Sequence, residues 1–474
     1  MTNKIELVQI EPDHKDVHHF NPDDNVIARE KIQVKATDGF HSKLRKLVAG
    51  LGFLAFFGCA WLQWDGHQAV LWDLTNRQFL IFGLTLWPQD LFLLSFTLMI
   101  SAFGLFAVTA FAGRVWCGYA CPQSTWSWVF IWLENKIEGD RNARRKLDKA
   151  SLSSHKVFLK LVKHASWAAV AFITALTFVG YFTPIRELAS DLFTFEASWG
   201  AVSWVLILSV LTYLNAGWLR EQVCIYMCPY ARFQSVMFDK DTLVVSYDVE
   251  RGEPRSAKRK HVQSAEEKPG DCVDCTLCVQ VCPTGIDIRQ GLQYECISCG
   301  KCIDACNNVM DKLGFARGLI RYTSETALKH KQPAKFHGRL LGYSAVMTVL
   351  LGALVYGVMT LSTVDLEVDR GRGANLFREN YRGDIINSYN VRVMNKTQET
   401  KIYQLAVEGV AVDSLEGTTT LELAPGEISQ LPMSVTVKLD QLSERATPIE
   451  FVVWEEGNPL QRETAESRFI APLR

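Results

Sequence analysis

Five stretches of the chain carry no charged residue over a length that suits a membrane crossing: residues 47–64, 91–113, 165–184, 197–219 and 340–364. A spanning helix takes about 20 apolar residues, so each is long enough, the first only just. Residues 79–89 are apolar but too short to cross, and read as a re-entrant or interfacial piece. Beyond the last run the texture changes. Residues 389–394, 401–407, 421–423, 435–439 and 449–454 alternate polar and apolar with a period of two, and Pro425-Gly426 and Gly457-Asn458-Pro459 punctuate them. That spacing predicts a small all-β sandwich.

Orientation follows from the basic residues. Arg114, Lys136, Arg141, Arg144, Arg145, Lys146, Lys149, Lys156, Lys160 and Lys163 crowd one loop, whereas residues 64–90 carry only Arg77 and the link around Pro184 only Arg186. The basic side is expected to be cytoplasmic, and Lys43, Arg45 and Lys46 ahead of the first run agree. The amino terminus is then inside, five crossings follow, and the carboxyl terminus lies outside, with no cleavable signal peptide ahead of the first run. The expected organisation is a cytoplasmic tail over residues 1–46, a four-helix membrane domain over 47–239, a cytoplasmic linker and ferredoxin domain over 240–339, a fifth membrane helix over 340–364, and an outer domain over 365–474. His14, His18 and His19 read as part of a solvated tail. The basic run 251–260 is expected to fix topology and touch anionic lipid. Over 474 residues, 48% are hydrophobic, 21% are charged and the net charge is -1. Those values exclude a disordered or collagen-like chain and a nucleic-acid binder held by a global basic field.

The cysteines carry the chemistry. Of thirteen, twelve fall into four tight groups between Cys117 and Cys306, unlike a disulfide framework. One group reads Cys272-x2-Cys275-x2-Cys278-x3-Cys282-Pro283, and thirteen residues on comes Cys296-x2-Cys299-x2-Cys302-x3-Cys306. This is the two-cluster ferredoxin spacing, in which the distant cysteine of each run serves the other cluster. One [4Fe-4S] cluster is therefore assigned to Cys272, Cys275, Cys278 and Cys306, and the second to Cys282, Cys296, Cys299 and Cys302. Structural zinc also uses C-x2-C pairs, but three close thiols per run suit a cubane better. Asn307 stands after Cys306 where Pro283 follows Cys282, a departure that spares the ligands.

A second signal is an internal repeat. Cys117-Gly118-Tyr119-Ala120-Cys121-Pro122 follows the second span and Cys224-Ile225-Tyr226-Met227-Cys228-Pro229 the fourth, both reading C-x-Y-x-C-P. The two hairpins suggest parallel repeats about the membrane normal, with four thiols that could face one another. If each segment stays helical, its cysteines share a face. If the proline opens a new helix, Cys121 and Cys228 lie at helix amino termini, where the dipole favours a thiolate. Soft thiolates select Cu(I) or iron–sulfur centres; plain packed cysteines are the alternative, and a cytosolic disulfide is disfavoured. Cys59 reads as an apolar filler. Core packing explains Tyr119 and Tyr226 as readily as electron transfer does. The terminal domain has no cysteine and no clustered His or Met, and its Asn395-Lys396-Thr397 reads as an accidental glycosylation pattern.

The five spans, paired C-x3-C-P motifs, ferredoxin insert, terminal β domain and the stretch Tyr247-Asp248 through Arg251-Gly252-Glu253-Pro254-Arg255 together resemble the CcoG family, also called FixG or RdxA, over nearly the whole chain. The fold class expected is a multi-pass α-helical membrane protein of five spans, with a cytoplasmic two-cluster ferredoxin-like α+β insert and a carboxyl-terminal all-β immunoglobulin-like sandwich. The resemblance implies a protein of the bacterial cytoplasmic membrane that reduces Cu(II) to Cu(I) for assembly of the cbb(3)-type cytochrome c oxidase. It places the cluster ligands on the eight cysteines above and the copper-handling thiols on Cys117, Cys121, Cys224 and Cys228. The expected cofactors are two [4Fe-4S] clusters, with copper as substrate. The partners it admits are copper ions, a copper transporter or chaperone, oxidase assembly factors, an electron donor of unspecified class, the lipid bilayer and a second copy of the chain; nucleic acid is not among them. Two rival readings are a quinol-oxidising membrane ferredoxin similar to NapH, and a scaffold whose clusters only stabilise the fold.

Overall fold

The computed structural model describes residues 32–64, 66–255, 270–330, 338–370, 377–442 and 444–472. His14, His18 and His19, and Lys258, Arg259 and Lys260 of the basic run, lie outside the described residues. Contacts divide the chain into two compact units, one drawn from the chain up to Gln63 and Leu98–Leu350, the other from Trp64–Thr97 and Leu351–Arg474.

Among the described residues five helices are long and apolar enough to cross a membrane: Phe40–Trp61, Pro88–Ala112, Ser154–Val179, Trp199–Leu219 and Gly338–Met359. Each matches an uncharged run, but the first and third begin well before it, because a helix start needs partners for its free N–H groups rather than neutrality. Ser153 supplies one for the third helix, accepting from the Lys156 N–H. The first helix follows Gly39, which has no capping side chain. The Asp304 carboxylate, from far along the chain, takes the His41 and Ser42 N–H groups at 3.1 and 2.7 Å instead. Large apolar side chains stay uncovered on these helices, Leu54 and Val349 at 71% and Trp204 at 60% exposure. Water would penalise so much apolar surface and hydrocarbon does not.

The third helix forms the core of the membrane part. Trp167 and Ala171 pack with Phe130 and Ala216. Beside them lies a buried ionic network, in which Glu134 pairs with Arg144 at 3.2 Å, Arg220 at 2.9 Å and Lys163 at 3.7 Å, while Glu138 takes Lys163 at 2.9 Å. Lys163 and Arg220 also stand over the Trp167 ring, at 4.9 and 5.3 Å from its centroid. The fourth span ends in a π-helical stretch, Tyr213–Leu219, after which Arg220 turns left-handed at φ 44.

Ferredoxin-like structure follows. Strands Val244–Tyr247 and Ile320–Thr323 pair antiparallel and, with helices Leu277–Gln280 and Lys301–Leu313, enclose a core of Val245, Ile288, Ile303, Met310 and Leu319.

In the second unit, residues 79–89 are not one re-entrant piece. Strands Gln78–Ile81 and Leu84–Leu86 pair antiparallel, and Val70–Asp73 joins them as a third. Phe82 at φ 55 and Gly83 make the reversal that an apolar run alone does not reveal. The carboxyl-terminal region is an immunoglobulin-like sandwich of two antiparallel sheets. One runs Ser414–Glu416, Ile428–Val437, Ile385–Asn395, Val364–Arg370, and the other Thr420–Leu423, Lys401–Glu408, Ala446–Glu455, Asn458–Ile470. Alternate residues Val391, Val393, Met433, Val435, Leu405, Phe451 and Val453 meet between the sheets. Asn395 of the glycosylation pattern is fully buried: its amide donates to the carbonyls of Glu399, Leu423 and Ala424 and its carbonyl oxygen accepts from Tyr403. Lys396 is buried with Asp90 at 2.8 Å.

Candidate iron–sulfur and thiolate site

Short spacing forces each ferredoxin run to curl. Asp274, Thr276 and Ser298 adopt positive φ near 50–54, and Gly300 follows at φ 69, so the backbone doubles back between successive cysteines. Two neighbouring cavities result. One, of about 370 Å³, is walled by Cys272, Cys275, Cys278 and Cys306, with Tyr247 and Arg289. The other, of about 360 Å³, is walled by Cys282, Cys296, Cys299 and Cys302, with Cys278 on the shared side. Each cavity thus gathers the four cysteines of one expected set, the crossed-over Cys282 and Cys306 included.

Among the described residues no three His, Cys, Asp or Glu side chains converge on a single metal ion. The eight thiols ring cavities instead of closing on a point, an arrangement that suits a multi-atom cluster better than structural zinc. Burial pushes the Cys278, Cys296 and Cys306 thiols up to about 12 and Cys302 well above the ordinary range. They become thiolates only when metal charge replaces the proton. Buried cations beside the second cavity point the same way. The Arg45 side chain is 6% exposed and its Nη1 has no hydrogen-bond partner. Burial pulls Lys301 down to about 8, with Cys299 and Cys282 among the groups opposing that. Uncompensated cations suit a cluster whose four thiolates leave it net negative. The residues present therefore fit two [4Fe-4S] groups.

The C-x3-C-P segments adopt the second of the two expected geometries. Cys121 and Cys228 are extended and cap the helices Pro122–Ile137 and Pro229–Met237, with proline as the first helical residue in both. The repeats then diverge. The first stretch, Val115–Tyr119, is α-helical and the second, Val223–Met227, π-helical. Cys117 and Tyr119 are buried, whereas Tyr226 is half exposed. Cys117 and Cys224 each lie in the electrostatic field of the other motif's thiols, but no three sulfurs form a preformed ion site. Burial holds Cys117 at about 11, with Arg114 opposing it, and Cys224 at about 12. The Cys117 Sγ–H donates to Gln234 Oε1 at 3.3 Å, and Arg114 Nε reaches the same oxygen at 3.2 Å.

Gly118 joins this segment to the second cluster loop. A Cβ there would stand 2.7 Å from the Ile297 carbonyl oxygen, 2.8 Å from Cys299 Cα and 2.9 Å from the Ser298 carbonyl oxygen. Cys117, Ile297 and Cys299 form one buried cluster. Tyr119 extends the junction. Its hydroxyl is 2.8 Å from His41 Nδ1 and 3.4 Å from the Tyr322 hydroxyl, which donates to the Ser298 carbonyl. His41, Tyr322, Gln234 and Lys301 carried no motif and escaped the sequence reading, and Arg45 entered it only for orientation. Gly118 had a signal, since its counterpart in the repeat is Ile225. Cys59 is a lone, half-buried thiol in the first span.

Five spans, paired cysteine-rich hairpins and a two-cavity ferredoxin module define a membrane-bound iron–sulfur protein of the oxidoreductase kind. Residues 219–325 match the family model of a 4Fe-4S dicluster domain, residues 94–138 that of a 4Fe-4S binding domain, and residues 354–472 that of the Ig-like fold at the C-terminus of FixG. The chain is 35% identical to the nitrogen fixation protein FixG of Rhizobium meliloti, over 94% of this chain and 93% of that one. It is 39% identical to protein RdxA of Cereibacter sphaeroides, over 77% and 79%. A crystal structure of a FixG-related protein from Vibrio parahaemolyticus aligns with 24% of this chain and all of its own, at 32% identity and a TM-score of 0.22. The chain belongs to the FixG/RdxA family.

Proposed function

We propose that the protein is a metal-ion reductase that takes electrons from its ferredoxin module and delivers them to Cu(II) at the C-x3-C-P thiols, supplying Cu(I) for assembly of a cbb(3)-type oxidase. The observation that carries this reading is the contact of Gly118 with Ile297–Cys299, which sets Cys117 against the loop of the second cluster site. Cys272, Cys275, Cys278 and Cys306 would hold one cluster, and Cys282, Cys296, Cys299 and Cys302 the other. A [4Fe-4S] group supplies single electrons at a potential set by burial and hydrogen bonds, which suits the one-electron change from Cu(II) to Cu(I). Cys117, Cys121, Cys224 and Cys228 would bind the substrate ion. Two thiolates suffice for Cu(I), so two of the four can hold it without the convergence of three. Gln234 and Arg114 orient Cys117, and the buried setting favours the product, since soft thiolates prefer Cu(I). The charge of the basic loop 114–163 supports a cytoplasmic setting for the ferredoxin module and the thiols, with the sandwich outside.

The test is anaerobic. Clusters are reduced with dithionite, excess reductant is removed, Cu(II) is added, and cluster bleaching is followed with the colour of a Cu(I) chelator. Stoichiometric Cu(I) with cluster reoxidation is the expected result, and its loss in Cys117→Ala with Cys224→Ala locates the thiols. Reduced clusters that leave Cu(II) untouched would sink the reading.

A further inference from the structure

A cleft of about 1550 Å³ lies among the membrane helices of the first unit, larger than either cluster cavity, and nothing in the proposed copper chemistry uses it. Apolar side chains from three spans, among them Phe53, Phe56, Phe178 and Leu211, make most of its wall. Polar side chains break that lining at Gln123, Thr125, Thr174, Thr212 and Asn215, and Gln123 and Thr174 are already hydrogen-bonded. Asn215 and Thr212 border the cleft, half-buried, and among the described residues neither side chain has a hydrogen-bond partner. Asn215 lies on the π-helical stretch Tyr213–Leu219, an irregularity common at functional sites. An amide inside an apolar span is costly unless something bonds to it. Its backbone carbonyl is already taken, by Gln123 Nε2 at 2.9 Å and the Arg220 N–H at 2.8 Å, which fixes the turn and leaves the side-chain amide available.

The same cleft is bordered by Trp116, Tyr119 and Ala120, so one wall is the C-x3-C-P segment. On the far side of that wall the Tyr119 hydroxyl meets His41 and Tyr322, Tyr322 bonds the Ser298 carbonyl, and Gly118 rests on Cys299. The occupant must be long and apolar, carry an oxygen able to bond an amide, and have reason to sit one aromatic ring from a cluster loop. A lipid acyl chain with its ester carbonyl meets the first two requirements and not the third.

We propose that this cleft binds an isoprenoid quinol, with its ring at Asn215 and its tail among the span side chains, and that this quinol is the electron donor. The inference deepens the reductase reading and rests on it for the onward use of the electrons. Oxidation of one quinol to quinone breaks two O–H bonds and releases two electrons and two protons. Clusters held by the eight cysteines of the ferredoxin module would take up the electrons, one each, and the protons would pass to water.

The experiment uses the full-length, cluster-loaded protein and a short-tailed benzoquinone as probe, read first by quenching of tryptophan fluorescence, since Trp116 and Trp126 line the cleft. Saturable binding is expected. Gly52 also lines the cleft and a Cβ there meets nothing within 4 Å, so Gly52→Phe plugs the space, while Asn215→Leu keeps the shape and removes the amide. Both are expected to weaken binding at least tenfold, with the EPR signal of dithionite-reduced clusters certifying that each variant is folded. Adding the reduced probe anaerobically should produce that EPR signal in the wild type and not in the variants. Binding that both folded variants retain, or that phospholipid abolishes as readily as unlabelled quinone, would overturn the proposal in favour of an acyl-chain groove. Failure of dithionite-reduced protein to reduce Cu(II) would sink the copper reading and leave quinone binding standing, so the two fail separately.

Discussion

Gly118 shows how much one missing methyl group decides. In an exposed helix alanine is better than glycine by about 1 kcal/mol, and at Gly50 or Gly58 of the first span, where a Cβ meets nothing within 4 Å, that gain is available. At Gly118 the added carbon would fall under 3 Å from three backbone atoms of Ile297–Cys299, none of which can swing away. Gly118→Ala is therefore expected to destabilise by about 1–3 kcal/mol, the usual cost of overpacking. Unfolding in detergent, with iron analysis, should show the loss concentrated in the second cluster. Asp287 offers a residue-scale test of pH dependence. Burial raises its pKa, but hydrogen bonds from the Arg289 guanidinium at 2.6–3.1 Å and from the Arg289 N–H at 3.0 Å outweigh that and hold it below the usual carboxylate value. A depressed folded-state pKa contributes stability above the unfolded pKa and loses it as pH falls through the folded one. Arg289→Met removes the guanidinium's share of the depression and leaves the burial and the backbone N–H, so cluster bleaching on acidification, followed by visible absorbance, should begin at higher pH than in the wild type.

At the scale of elements, the ionic network ties the helix after the first C-x3-C-P motif to three others. Glu134 is fully buried among Arg144, Lys163 and Arg220, themselves no more than 5% exposed in their side chains. Glu134→Gln leaves those cations in a low-dielectric site without their carboxylate, and breaking a buried pair on one side costs about 3–5 kcal/mol. The measurement is thermal unfolding of the variant, set beside Glu134→Leu with Arg144→Met, which removes charge from both sides and should cost clearly less than the single change. Which elements were legible depends on how local their cause is. Runs without charge located five spans because hydrocarbon is selective along the sequence itself, and the C-x2-C-x2-C-x3-C spacing located the cluster loops because three ligands per site are local. The C-x3-C-P segments left two geometries open, since proline suits either helix interruption or helix start. Packing against Ser298 and Cys299 accompanies the second. Three of the sandwich strands, Ser414–Glu416, Val364–Arg370 and Asn458–Ile470, went unread. Arg462, Glu463, Glu466 and Arg468 give the last a polar texture, and only pairing with Ala446–Glu455 makes it a strand. The Asp304 cap on the first span and the His41–Tyr119–Tyr322 contacts join residues more than 75 positions apart, where sequence pattern is silent.

For the whole molecule, the count of crossings and the side of the basic loop determine where the electrons can be used. The chain has no cysteine after Cys306, so a thiol introduced into the sandwich is unique there. Tyr381 is 90% exposed and lies in the second unit, and Lys149 is exposed at the end of the short helix Arg141–Lys149 in the basic loop. If loop charge sets orientation, Tyr381→Cys in intact spheroplasts should react with a membrane-impermeant maleimide, and Lys149→Cys only after the membrane is opened. The unaltered chain, treated identically, gives the background that its native thiols contribute. The reverse pattern would put the cluster module on the outer face, away from cytosolic reductants, and would remove the assignment of Cu(I) to the cytoplasm while leaving quinol as a donor reachable from within the bilayer. Labelling of both sites from one side would mean that an even number of the three apolar helices between Lys149 and Tyr381 cross, and at least one of them would have to be read as lying in the membrane surface.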